Sequence, residues 1–143
     1  MLGNPSKYLR KAFFDVLNGI TVSGNIIPCY TRRVTGATVP KYYILLQGVA
    51  NSQNKYTKCA DRWNATITIE TLTTYPATGN TGSEVLLDDI VEQIINLEET
   101  IILSGGYKIN QRELVSSDNI EPTIGTTTNV FRNITTFNYF LTQ

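Results

Sequence analysis

An α+β domain, with an antiparallel or mixed sheet of about four to six strands packed by two amphipathic helices, is the architecture this sequence predicts. Three observations point to it. In "DRWNATITIETLTTYP", residues 61–76, Trp63, Ala65, Ile67 and Ile69 alternate with Asn64, Thr66, Thr68 and Glu70, the period of a half-buried strand. Two other stretches repeat their apolar residues at steps of three and four, as a helix covered on one side does. The chain of 143 residues, 41% hydrophobic and 17% charged, can bury roughly two thirds of its unfolded surface in one core and lacks the composition of disorder. No repeat, linker or low-complexity segment divides it, so one domain is expected over residues 1–143.

The first helix is punctuated at both ends. Asn4 can cap it, Pro5 suits its first position and Asn18-Gly19 suits its end, with Tyr8, Leu9, Ala12, Phe13, Val16 and Leu17 forming the apolar stripe. "ITVSGNIIPCYT" reads as short extended segments broken by Gly24 and Pro28. Pro40 opens "KYYILLQG", whose Tyr42 to Leu46 run predicts a strand buried on both faces, and "NSQNK" reads as a polar loop or hairpin tip. The long strand covers about Lys58 to Tyr75, and "PATGNTGS" is a turn in which Thr81 and Glu84 fit a capping box. The second helix turns Leu86, Leu87, Ile90, Val91, Ile94 and Ile95 inward and Asp88, Asp89 and Glu92 outward. A strand is expected around Lys108 to Val115, then a loop rich in Thr, Gly and Pro. The closing strand "NVFRNITTFNYFLT" sets Phe131, Asn133, Thr135, Phe137, Tyr139 and Leu141 on one face.

Chemistry is hard to find. There is no histidine, which removes the commonest general base, the triads built on it and the commonest zinc ligand. Cys29 and Cys59 lack a CxxC spacing and read as reduced, partly buried thiols. Asp88, Asp89 and Glu92 could hold Mg²⁺, but a solvated helix face near its N-terminal end explains them as well. The "GNTG" turn lacks the Lys-Ser or Lys-Thr of a phosphate loop. No enzymatic activity, metal or cofactor is expected. No run approaches the roughly 18 apolar residues of a membrane span, and "MLGNPSKYLRK" lacks the apolar core of a leader, so a chain made in the cytoplasm is expected.

Charge is balanced overall and unbalanced along the chain. Residues 1–62 carry nine Lys and Arg against Asp15 and Asp61, a net +7, and residues 63–143 carry three against ten acids, a net −7. Either the halves mix in the fold, or the molecule has opposite faces that complement each other between copies, an arrangement suited to head-to-tail rings. Aromatic residues beside the basic half do not form a nucleic-acid motif, so no sequence-specific nucleic-acid binding is expected.

The order of these pieces resembles that of the small tail terminator, or tail completion, proteins of long-tailed bacteriophages. The likeness rests on the helix "YLRKAFFDVL", the proline-led "VPKYYILLQG", the long "RWNATITIET", the helix "SEVLLDDIVEQIINL" and the closing "NVFRNITTFNYFL" with Arg132 just ahead of its apolar alternation. The long "IEPTIGTTTN" segment and the missing histidine depart from it. The resemblance implies a non-catalytic virion protein, made in the bacterial host, that forms a hexameric ring at the head-proximal end of the tail. Its implied partners are further copies of itself, the tail tube protein and a neck or head-closure protein, with DNA passing through the ring. The expected contact pairs Arg32, Arg33, Lys55, Lys58 and Arg62 of one copy with Asp88, Asp89 and Glu92 of the next. "TYPATGNTGS" and "IEPTIGTTTN" are expected to project as contact loops. A neck adaptor on the portal side is the alternative, and a Mg²⁺ enzyme using the three acids a remoter one.

Overall fold

A computed structural model describes residues 4–34, 38–54, 62–77 and 84–142. The helix α1 covers Ser6–Leu17. Asn4 Oδ1 accepts the Ser6 N–H at 2.8 Å and Pro5 has helical dihedrals, so Asn4 caps a helix that begins at proline. At the other end the Asn18 N–H closes on Phe14 O, and the Asn18 side chain accepts the Cys29 N–H at 3.0 Å.

Strands β1 (Ile20–Val22) and β2 (Asn25–Ile27) form a separate hairpin. Its two turn residues, Ser23 and Gly24, both have positive φ, the geometry whose twist matches that of the flanking strands. Five strands make the main sheet: β3 (Cys29–Thr31), β4 (Tyr42–Asn54), β5 (Arg62–Pro76), β6 (Lys108–Ile124) and β7 (Thr128–Thr142), in the spatial order β3-β4-β5-β7-β6. Among the described residues, only β3 and β4 run parallel. The helix α2 (Val85–Glu98) crosses from β5 to β6. The architecture is therefore α+β with a mixed sheet and two helices, as expected.

Three details differ from the sequence reading. Asn51 to Asn54 are not a loop but continue β4, in register with Ala65 to Arg62. Backbone pairing holds this polar segment in the sheet, and Asn51 donates to Asn4 Oδ1 and Ser6 Oγ at the start of α1. The return strand runs well past Val115 to Ile124, and "IEPTIGTTTN" is a β-ribbon rather than a loop. Its threonines and isoleucines favour extended backbone. The ribbon turns at Gly125, where a side chain would place Cβ 2.8 Å from Thr128 O. Pro122 is tolerated because β6 is an edge strand, and three register shifts break its ladder. The capping residue Thr81, the "GNTG" turn, Lys55, Lys58 and Cys59 lie outside the described residues.

Both helices pack on one face of the sheet. Phe13 of α1 meets Phe137 and Tyr139 of β7 with ring centroids 5.9 and 6.0 Å apart, and Leu9, Leu17, Ile44, Leu46, Ile67, Ile69, Ile90 and Ile94 complete the buried core. Cys29 lies in this core as a free thiol, and burial pushes its pKa up from 9.0 to about 12. The unfolded thiol ionises first, so the contribution of Cys29 is intact below pH 9.0 and is lost as the pH rises towards about 12. Replacement by alanine is expected to flatten this part of the alkaline stability curve, measured by urea unfolding at stepped pH.

Candidate functional site

The two helices cover the middle of the sheet and leave a hollow beside each edge strand. At the β6 edge, a groove of about 450 Å³ opens between α2 and the ribbon, lined by Asp88, Val91, Glu92 and Ile95 on one side and Ser117, Asp118 and Asn119 on the other, with Asn133 at its floor. Asp88 and Glu92 are one helical turn apart and share this wall. Asp89 is displaced around the helix and does not line the groove.

The groove is held by polar clips rather than apolar packing. Asn119 donates from one Nδ2 to Glu84 Oε2 at 2.9 Å and Asp88 Oδ1 at 3.0 Å, and its Oδ1 accepts from Asn133 Nδ2 at 2.7 Å. Asn133 in turn accepts from the Thr135 hydroxyl at 2.6 Å, which is bonded to Ser117. Asn133 and Thr135 are buried on the face they share with Phe137 and Tyr139. Their place in that alternation was visible in the sequence; their link through Asn119 to the acids of α2 was not.

A second clip closes the lower end of the groove. Arg112 of β6 donates to the backbone carbonyl oxygens of Glu98, at 2.5 Å, and Ile101 at the end of α2. A cation there satisfies carbonyls that the helix leaves open and offsets the unfavourable Glu98 carboxylate at a negative helix end. Glu98 also accepts from the Tyr139 hydroxyl at 2.7 Å, and burial together with this bond raises the Tyr139 pKa.

The opposite edge is basic. Lys7, Arg10 and Lys11 on the outer face of α1 line, with Phe14 and Thr31, a hollow of about 380 Å³. Arg32 and Arg33 follow at the end of β3, both exposed; the Arg32 N–H donates to Leu46 O at 2.9 Å and the Arg33 N–H to Thr31 O at 2.8 Å. Arg62 is elsewhere. It opens β5 at the far end of the sheet, beside Trp63, Asn64, Phe140 and Thr142, roughly 20 Å along the strand from the level of Leu46. The structure thus joins Arg32 and Arg33 with three cations of α1 and separates them from Arg62. The spacing of Lys7, Arg10 and Lys11, three and four residues apart on the polar side of α1, is the sequence signal that would have added them.

The fold resembles that of a virion chain. Over 96% of both chains, with a TM-score of 0.70 and 12% identity, the structure matches a chain of the virion of a native gene transfer agent particle. At that identity the likeness is one of fold. No protein-family model matches the sequence, and no curated protein matches it.

The face of the sheet turned away from the helices carries one further polar site. Glu70, which the alternation places on the outward side of the long strand, is only 6% exposed. Arg132 Nε donates to it at 2.7 Å, with Nη2 at 2.5 Å, and Gln47 Nε2 donates at 2.6 Å. Leu45 and Leu72 are buried around it, and Tyr43 packs edge-on to Tyr30 nearby. Arg132, singled out by the resemblance, therefore makes an ion pair across β5 and β7. Among the described residues no cluster of His, Cys, Asp and Glu converges as a metal site, and no helix is long and apolar enough to cross a membrane.

Proposed function

We propose that this chain is a structural protein of a phage-like virion, and that it acts as a tail terminator. In this reading six copies close a ring at the head-proximal end of the tail tube, end its polymerisation and present the surface to which the neck attaches. The observation that carries the proposal is the likeness in fold, over nearly the whole chain, to a chain of a gene transfer agent virion. The order of segments that resembles tail terminators supports the finer assignment. So does the three-stranded end of the sheet, where the Tyr75–Pro76 end of β5 pairs with Asn129 and Thr128 and the ribbon turns at Gly125, beyond the start of β4. That end offers a surface for the tube or the neck. The reading needs no catalysis, cofactor or metal.

Immunogold labelling of particles and free tails from the source phage tests it. Label at the head-proximal tip of free tails is the expected result. Label confined to tail-free heads would move the assignment to a neck adaptor, and no label on either would remove the virion reading.

A further inference from the structure

The groove between α2 and β6 is walled by acids. Asp88 and Glu92 point along it from the helix, Asp118 faces them from the strand, and Glu84 lies at its upper end, tied to Asn119. None of these four acids has an ion-pair partner among the described residues, where the ion pairs are Lys11–Asp15, Arg112–Glu98 and Arg132–Glu70. Asn119 fixes the Asp88 carboxylate from behind, and Val91 and Ile95 add an apolar strip between the acids. These four carboxylates, along and beside one groove, give that face a negative potential that attracts a cationic partner. On the other side of the same sheet, Lys7, Arg10, Arg32 and Arg33 likewise have no acid partner among the described residues. Their hollow also has an apolar element, Phe14.

We propose that the acidic groove is a socket for the basic α1–β3 edge of a second copy of this chain. The two surfaces are opposite in sign and lie at opposite ends of the strand order, β3 on one side and β6 on the other. The contact is therefore heterologous, and each copy that joins still exposes one free socket and one free edge. Association continues until a ring closes or, where the rotation between copies does not close, as an open filament. Strand pairing between the two edges is not the means: the bulges in its pairing with β7 and Pro122 make the β6 edge irregular, while β3 has only three residues. The contact is made by side chains, so its strength falls with salt. This inference concerns self-association alone and does not depend on where in a particle the chain sits.

Two variants test it in the full chain. One reverses the socket, Asp88→Lys with Glu92→Lys; the other reverses the edge, Lys7→Glu with Arg32→Glu and Arg33→Glu. Circular dichroism and thermal melting first establish that both are folded. In sedimentation at millimolar protein and low salt, the natural chain self-associates and each variant alone does so at least about a hundredfold more weakly. An equimolar mixture of the two recovers association, because the basic socket of one then meets the acidic edge of the other, and the reverse pair is acidic on basic. A natural chain that stays monomeric, a single variant that associates as before, or a mixture that fails to recover would each overturn the proposal. If a reversed socket does not fold, Glu92→Lys alone, on an exposed position with no hydrogen bond to Asn119, replaces it.

Discussion

Replacing Phe13 with alanine will cost about 3–5 kcal/mol of stability. Phe13 is fully buried on the inner face of α1, between Phe137 and Tyr139 of β7, and its removal leaves a cavity that three different elements would have to move to fill. α1 rests on β4 and β3 as well as on α2, so it cannot settle on β7 without losing contacts elsewhere. A loss of this size is a large share of the roughly 5–15 kcal/mol that holds a typical domain. Urea unfolding followed by circular dichroism will show the midpoint falling steeply. Phe14→Ala, one residue further round the helix at a half-buried position, will cost far less. Equal losses at the two positions would mean that α1 does not pack as described.

The second large effect is asymmetric. Arg132→Met will destabilise the fold by about 2–3 kcal/mol, whereas Glu70→Gln will cost under about 1 kcal/mol. The Arg132 side chain is 39% exposed and keeps water when its partner is neutralised, but the Glu70 side chain is only 8% exposed and has only Gln47 left when Arg132 goes. The partial exposure of the arginine is why the figure sits below that for a fully buried pair. Combining the two changes will recover most of the loss, since the neutral amide that then replaces the Glu70 carboxylate no longer needs a cation. A double-mutant cycle by chemical unfolding measures all three differences. If both single changes cost the same, the pair lies in water rather than within the sheet.

Much of the architecture was legible because two periods carry it. The alternation of Trp63 to Ile69 and of Asn133 to Leu141 marked the inner face of β5 and β7, and the steps of three and four in α1 and α2 marked which sides they bury. What periodicity could not give was length. Asn51 to Asn54 and Glu121 to Ile124 are polar or interrupted by proline, and they are strands because a neighbouring strand supplies hydrogen bonds, a fact of tertiary pairing. The burial of Glu70 was not legible for a related reason: alternation assigns it the outer face, where it lies, and says nothing of an arginine on the adjacent strand that can close over it. At the candidate site the acids of α2 were visible as a charged face. Their partner strand, the Asn119 clip and the grouping of Arg32 and Arg33 with α1 required the fold, because they join segments far apart in the chain.

The docking of Phe13 on β7 also sets an order in time. α1 leaves the ribosome well before the rings it packs against, while β5, the strand flanked by β4 and β7, follows β4 but waits for β7. Contacts of such long sequence separation form slowly and cannot form at all on a nascent or shortened chain. A chain cut before β7 has neither the floor under α1 nor the strand that carries β6, so it can raise neither its basic edge nor its acidic groove. Only a chain that carries β7 can present both, and quality control against copies broken before it is thereby built into the chain's own geometry.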